Sequence, residues 1–139
     1  MTHILAALLL LYPSLQGHFR AHPEIPVAIE TAARVHGVPP ELLLTLCFFE
    51  SGAGSSRRAH ALCGVGGNTP RDRQPDRAAE ILAQGHNLCR SWGGAVMLFR
   101  WGRCGGEDAT AYRPRALALA AQLGGVCLDP PRRVASRQR

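Results

Sequence analysis

A nearly continuous apolar run in the middle of the chain ends on a carboxylate. Residues 42–49 are apolar at every position except Thr45, and Glu50 follows them directly. A helix that is hydrophobic on all of its faces has to be buried. The pattern therefore predicts a buried helix that begins at Pro40 or Glu41, since a proline and an acid both suit a first turn, and that ends near Glu50.

Four other segments repeat their apolar residues at the spacing of an amphipathic helix. They run from Ile25 to His36, from Arg77 to about Arg90, from about Trp92 to Trp101, and from Pro114 to Gly124. Asp76 is placed to cap the second of them, whose predicted inward face comprises Ala78, Ile81, Leu82, Leu88 and Cys89. No segment alternates apolar and polar residues as a strand would, so the pattern predicts a mainly helical fold.

Residues 52–76 interrupt this periodicity. They are rich in Gly, Ser, Arg, Asn and Pro and contain only a small apolar island at residues 61–65. The composition predicts a long irregular loop that crosses the end of the buried helix. A loop of this length in a small domain is more often functional than idle.

The chain has 139 residues, which fits one compact domain. We assign this domain to residues 24–128 and predict a disordered, Arg-rich tail at residues 129–139. Residues 1–23 contain an apolar run that is too short to span a bilayer. Two interpretations of this segment stay open: a signal peptide with Ser14 or Gly17 near its cleavage point, or a first core helix that is retained.

The basic charge of the chain restricts its partners only loosely. All 16 positions counted as Lys or Arg are Arg, and the formal net charge is +6. Such a charge allows a polyanionic partner, either nucleic acid or an anionic cell-wall polymer. No helix combines a stripe of Arg with a nucleic-acid-binding motif, so the sequence predicts no specific nucleic-acid partner.

The carboxyl group of Glu50 is the strongest candidate for chemistry. Burial disfavours its charged form, and the negative end of the helix dipole opposes a negative charge at the same place. Together they predict a carboxyl that still holds a proton near neutral pH, as a general acid acting on a glycosidic oxygen must. The alternative interpretation is a helix-terminal Glu that turns out to water before Gly52.

The order of elements from Ile25 to Leu123 resembles the lysozyme-like catalytic domain of the soluble lytic transglycosylases. The segment HGVPPELLLTLCFFESG is similar to the turn and apolar helix that end in Glu-Ser in that family, and Glu50 falls on the catalytic Glu position. The segment LCGVGG keeps the Gly of the family's Gly-Leu-Met-Gln motif as Gly64, but lacks its Met and Gln.

Two later segments extend the resemblance. Residues 99–106, FRWGRCGG, occupy the place of the family's Ala-Tyr-Asn-Ala-Gly motif and keep an aromatic residue and a Gly, but not the Asn. Glu107 and the segment AYRPRALAL resemble the family's closing acid and Tyr helix, with Tyr112 on the family's Tyr. The resemblance implies a lysozyme-like helical domain with a long loop over the catalytic helix.

The resemblance also implies a reaction, cleavage of the peptidoglycan bond between N-acetylmuramic acid and N-acetylglucosamine. Glu50 would act as general acid and then as general base, and the muramic acid 6-hydroxyl would attack to give 1,6-anhydromuramyl products. One carboxylate is enough for this route, whereas a hydrolytic lysozyme would need a second carboxylate to hold a water. The acids available for that second role are Asp72, Asp76, Glu107 and Asp108.

We favour the transglycosylase over the hydrolase because each of those acids has a simpler role as a cap, a loop charge or a surface charge. The departures from the family motifs leave a second function open. In that alternative the chain is a noncatalytic lysozyme-like module that binds peptidoglycan or belongs to an envelope or phage structure.

The substrate-binding candidates lie beside Glu50 in the sequence or in the segments that carry the resemblance. They are Ser51, Gly64, Asn68, Trp101, Arg103 and Tyr112. Trp and Tyr rings can stack on sugar faces, although both are also common in cores. The expected partner is a peptidoglycan glycan strand, and the expected protein is a monomer that is exported or phage-associated.

Five cysteines in a chain of this size favour an exported protein with disulfides. A Cys89–Cys104 bond is disfavoured, because an antiparallel helix pair would separate the two residues by roughly 15 Å. The expected first pair is Cys63 with Cys104, which both flank the proposed cleft. The second is Cys89 with Cys127, and Cys47 is expected to be free. The spacing does not match a zinc site, and no metal or cofactor is expected.

Overall fold

The computed structural model describes residues 2–54, 62–65 and 69–130, and these ranges are mainly helical, with no strand among them. A short 3-10 helix, Arg71–Arg73, precedes α5. The helices are α1 (Thr2–Leu11), α2 (Leu15–Ala21), α3 (Glu24–His36), α4 (Pro40–Ser51), α5 (Gln74–Cys89), α6 (Trp92–Trp101) and α7 (Tyr112–Gly124). The prediction of a mainly α fold is confirmed for this part of the chain.

Helix α4 is the buried centre of the structure, as its apolar run predicts. Four leucines and a cysteine of this helix are completely buried: Leu42, Leu43, Leu44, Leu46 and Cys47. The helix contacts α3, α5 and α7, which cover it from different sides. It ends at Ser51, and the capping residue Gly52, with a left-handed φ of 61°, lets the chain leave the helix axis two positions after Glu50.

Helix α5 begins earlier than its sequence pattern predicts. Its first residue is Gln74, and Pro75 occupies the first turn, so Asp76 lies inside the helix and the predicted cap is wrong. The Asp76 carboxylate instead lies 2.8 Å from Nε2 of His36, which ties α5 to the end of α3. The predicted inward position of Leu88 is also wrong, since this side chain is 69% exposed.

Helix α7 also begins before the predicted proline. The carboxylate of Asp108 accepts hydrogen bonds from the backbone N–H groups of Tyr112 and Arg113, at 2.9 and 2.8 Å. Ala111, just before the helix, adopts a left-handed φ of 50°. This cap fixes Tyr112 as the first residue of the helix, while Pro114 lies in its first turn.

The first two helices contribute to the core. Ile4 and Leu8 of α1 and Leu15 and Phe19 of α2 are buried, and α1 packs against α7. The described helices include none that is long and apolar enough to cross a membrane. Residues 131–139, most of the predicted tail, lie outside the described ranges.

The disulfides differ from the predicted pairs. Cys47 is bonded to Cys63 and Cys89 to Cys104, while Cys127 is free and exposed. The predicted pairs Cys63–Cys104 and Cys89–Cys127 are therefore wrong, and so is the prediction of a free Cys47. Cys47 lies on the face of α4 that the 62–65 segment covers, which brings Cys63 against it.

The predicted separation of Cys89 and Cys104 is wrong because Cys104 is not part of a helix. The left-handed Gly102, with φ 76°, ends α6 and turns the chain before Cys104. Cys89, for its part, lies directly against α6. It can do so because α6 has a glycine at residue 94, where an added Cβ would lie only 2.5 Å from Cβ of Cys89. The two bonded residues have a Cα–Cα distance of 5.5 Å.

Candidate functional site

The end of α4 opens into a cleft of about 420 Å³ that contains Glu50. The walls come from the end of α1, the last turns of α4 and α6, and the start of α7. The lining residues are Tyr12, Phe48, Phe49, Glu50, Arg100, Thr110, Tyr112 and Arg115. Residues from three helices, with Tyr12 just after α1 and Thr110 just before α7, therefore surround the one carboxylate of this lining.

Glu50 is half-buried, and Tyr112 holds its carboxylate. The phenol O–H of Tyr112 donates a hydrogen bond of 2.8 Å to Oε1 of Glu50. Burial raises the pKa of Tyr112 strongly, and the negative charge of Glu50 and this hydrogen bond raise it further, against a smaller lowering by Arg100 and Arg115. Tyr112 thus stays protonated throughout the physiological range and acts as a donor to Glu50.

Gly64 contacts the other side of the Glu50 side chain. A Cβ added to Gly64 would lie 2.5 Å from Cγ and 2.7 Å from Oε2 of Glu50, closer than real Cβ contacts come. Its φ of +74° is in the left-handed region that glycine adopts readily. Both the contact and the backbone conformation therefore require a glycine at this position.

Two bonds hold the 62–65 segment against α4. The Cys47–Cys63 disulfide joins the helix to the residue before Gly64. The Ser51 hydroxyl is hydrogen-bonded to the carbonyl oxygen of Leu62, lies 3.2 Å from that of Cys47, and accepts the N–H of Gly54 at 2.9 Å. Ser51 is only 4% exposed. It positions the loop beside Glu50, and its hydroxyl does not face the cleft.

Comparisons of this chain with protein-family models, with curated proteins and with solved structures found no match. The lysozyme-like family stays an expectation from the sequence.

Aromatic rings form most of the apolar wall. Phe49 packs edge-on against Tyr112, with ring centroids 5.6 Å apart, and Tyr12 packs on Phe48 at 4.5 Å. Tyr12 remains 37% exposed, so part of its ring faces the solvent at the cleft. An apolar face with a polar tip of this kind suits a sugar ring.

The remaining predicted site residues lie beside the cleft or beyond it. The indole N–H of Trp101 donates to Asp108 at 3.0 Å, and the ring is half-buried outside the lining. Arg103 is exposed and donates to the carbonyl oxygen of Glu107. Asn68 lies outside the described residues. Of the predicted binding residues that the structure describes, Gly64 and Tyr112 contact the side chain of Glu50.

The candidate second carboxylates do not belong to the cleft lining. Asp108 caps α7. Burial raises the pKa of its carboxyl, but hydrogen bonds from the N–H groups of Arg113, Tyr112 and Trp101 lower the pKa more, so the net direction is downward. Asp76 pairs with His36, and neither Asp72 nor Glu107 belongs to the cleft lining. Among the described lining residues, Glu50 is the one acid.

Sequence reasoning missed several residues of this cleft: Tyr12, Thr110, Arg100 and Arg115, with Phe48 and Phe49 taken only as helix core. Arg115 follows Tyr112 by three positions on α7, a spacing that places both on one helix face. That spacing could have indicated Arg115. Tyr12 comes from the residue just after α1, distant in the sequence, and no local pattern indicates it.

Proposed function

We propose that this protein is a peptidoglycan lytic transglycosylase in which Glu50 is the catalytic acid and base. The observation that supports this proposal most directly is the Glu50–Tyr112 hydrogen bond, which holds one carboxylate at the mouth of a cleft with aromatic walls. The described lining contains no second acid that could hold a hydrolytic water. A single acid is what the transglycosylase route needs.

In the first step, protonated Glu50 gives its proton to the glycosidic oxygen as the bond from muramic acid C1 to that oxygen breaks. The glucosamine end leaves with a new hydroxyl, and Glu50 becomes a carboxylate. Tyr112 donates to Oε1 and so stabilises the negative charge that develops on this carboxyl. Oε2 does not accept this hydrogen bond, and we assign the proton transfer to it.

In the second step, the 6-hydroxyl of the same muramic acid attacks C1. Glu50 takes the proton of this hydroxyl as a general base, the new C1–O6 bond closes the anhydro ring, and Glu50 is protonated again. No water and no other reactant is consumed. The enzyme therefore returns to its starting state with the same carboxyl serving both steps.

The disulfides support a location outside the reducing cytoplasm. Two of them are present among the described residues, and one lies directly beneath the proposed site. Disulfides persist in oxidising compartments. We therefore propose an exported protein that acts on peptidoglycan glycan strands.

The test is mass spectrometry of the soluble products released from purified peptidoglycan. We expect anhydromuramyl products from the wild type. The rate of their release should fall by about 100-fold or more in Glu50→Gln, because the amide is not acidic enough to protonate the glycosidic oxygen. Glu107→Gln is the matched control, since Glu107 is exposed and outside the cleft lining. Products with reducing ends would instead identify a hydrolytic lysozyme.

A noncatalytic peptidoglycan-binding module is the second candidate. Its support is the absence of the Met, Gln and Asn that the resembled family carries beside its catalytic Glu. Folded wild-type protein that binds peptidoglycan, releases no product and binds equally well as Glu50→Gln would establish this module and reject the enzyme.

A further inference from the structure

Two arginine side chains are held over aromatic rings in the cleft. The Arg100 guanidinium lies 4.9 Å from the ring centroid of Trp101 and 5.5 Å from that of Tyr112. The Arg115 guanidinium lies 5.2 Å from the ring centroid of Phe49. Contacts of this kind attract the cation to the ring face and restrict where it points. Both charges are thereby positioned on the wall that also contains Tyr112.

Neither guanidinium has an anionic partner within the described ranges. Glu50 accepts its hydrogen bond from Tyr112, and the ion pairs of the described residues lie elsewhere, at α3, α5 and the segment before α3. The lining thus contains two positive groups and one negative group. Because Arg presents a planar fork that matches a carboxylate, this excess charge favours a ligand that carries a carboxylate.

The two cations lie close to the reacting carboxyl. Arg100 lies over the ring of Tyr112, whose hydroxyl is 2.8 Å from Glu50, and Arg115 lies over Phe49, which packs on the same tyrosine. A group bound to them would therefore belong to the sugar next to the scissile bond or to its substituent. Both arginines are exposed, so the ligand can reach them without a rearrangement of the core.

We propose that Arg100 and Arg115 recognise a carboxylate on the muramic acid side of the scissile bond, and that the enzyme selects for strands carrying it. This inference rests on the proposed function. Muramic acid carries a lactyl ether whose carboxyl is either free, on peptide-free strands, or joined to a peptide that has carboxylates of its own. The chemistry recognised is the same in both cases, and the substrates below separate the two sources.

The experiment compares kcat/KM on three matched substrates. They are peptide-free glycan strands, the same strands with every lactyl carboxyl converted to a methylamide, and strands that retain their peptides. We expect the methylamide strands to be worse by about fivefold to tenfold, the size that one or two exposed charge pairs provide. Of the two substrates that carry a carboxylate, the one with the higher kcat/KM shows whether the recognised group is the lactyl carboxyl or a carboxylate of the peptide. Equal kcat/KM on all three would overturn the proposal.

Variants assign the effect to the two arginines. In Arg100→Gln and Arg115→Gln the preference for the carboxylate is expected to fall, mainly through a higher KM, with Lys at either position restoring part of it. Arg77→Gln is the control, because Arg77 is an exposed arginine of α5 that pairs with Glu80 outside the cleft. The wild-type preference should also weaken as salt is raised. A preference that survives both cleft variants would reject their role.

A binding measurement separates this inference from the proposed function. Glu50→Gln is titrated calorimetrically with the peptide-free strands and with the methylamide strands. Tighter binding of the carboxylate form supports recognition by the arginines even if the wild type releases no product. Equal binding, together with normal product release by the wild type, would reject the recognition and leave the proposed function standing.

Discussion

At the scale of single residues, the site depends on contacts that Glu50 makes on two sides. Tyr112 donates to Oε1, and Gly64 lies against Cγ and Oε2. The first contact fixes the orientation of the carboxyl and the second leaves no room for a larger residue. Each contact can therefore be tested by one substitution.

Gly64→Ala should remove activity by displacing Glu50. The new Cβ would lie 2.5 Å from Cγ of Glu50, and Ala at a φ of +74° costs about 1–2 kcal/mol of stability. Gly37→Ala is the control: its φ is +69°, but nothing lies within 4 Å of an added Cβ. Both variants should melt at a lower temperature, Gly64→Ala at least as low as Gly37→Ala, while product release falls only in Gly64→Ala. Equal activity in the two would show that the contact with Glu50 is irrelevant.

Tyr112→Phe should lower kcat while leaving the fold and KM nearly unchanged. The variant keeps the ring that packs on Phe49 but loses the donor to Glu50. A hydrogen bond to a charged group corresponds to about tenfold to a hundredfold in rate. Steady-state kinetics on peptide-free strands, with circular dichroism to check the fold, measures this. A change confined to KM would contradict a positioning role for Tyr112.

At the scale of elements, the site is assembled by the joining of α4 to the segment that follows it. The Cys47–Cys63 disulfide and the Ser51 hydroxyl fasten residues 62–65 beside Glu50. Helix α7 is aligned separately by the Asp108 cap, which makes Tyr112 its first residue. The disulfide and the Ser51 hydrogen bond therefore hold Gly64 against Glu50, and the Asp108 cap places Tyr112 beside it.

The disulfide pairing predicts how the thiols titrate. The native protein should show one reactive thiol, Cys127, and all five cysteines after unfolding and reduction. Peptide mapping should link Cys47 to Cys63, and Cys47→Ser should lower stability by about 3 kcal/mol, as expected for a loop of 16 residues. Cys127→Ser, which removes the free thiol, is the control. A peptide that links Cys63 to Cys104 would contradict the structure.

At the scale of the whole molecule, α1 and α7 meet behind the cleft and α4 lies in the centre of the core. Tyr12 at the end of α1 and Tyr112 at the start of α7 both reach the lining. The cleft therefore depends on helices that are distant in the sequence. The geometry of the cleft should therefore depend on the stability of the whole fold.

Stability should fall in alkaline solution because Tyr112 is buried. Its pKa is raised above the ordinary 10.0, so the folded protein keeps the proton after an unfolded chain has released it. The stabilisation is complete below pH 10.0 and decreases above it, by about 1.4 kcal/mol per pH unit. Denaturant titrations between about pH 9 and 11 measure this slope. Tyr112→Phe should flatten it, and an unchanged slope in that variant would assign the effect to other groups.

The sequence by itself determined the helical fold, the burial of α4 and the position of its terminal acid. These follow from apolar spacing and from glycine and proline signals, which act within one helix. The resemblance of two sequence segments to the lytic transglycosylases also indicated Gly64 and Tyr112, which both contact Glu50. Prediction from the sequence was less accurate at the helix ends. The start of α7 was missed because its capping residue, Asp108, lies four positions before the helix begins.

The tertiary structure alone decided the disulfide pairs and the composition of the cleft. Cys47 and Cys63 meet because the loop folds back over α4, and Cys89 and Cys104 meet because the chain turns after Gly102. The arginines of the cleft likewise come from two helices whose faces are aligned only by packing. Local periodicity fixes which face of a helix is apolar, but it contains no information on which distant side chains that face will meet.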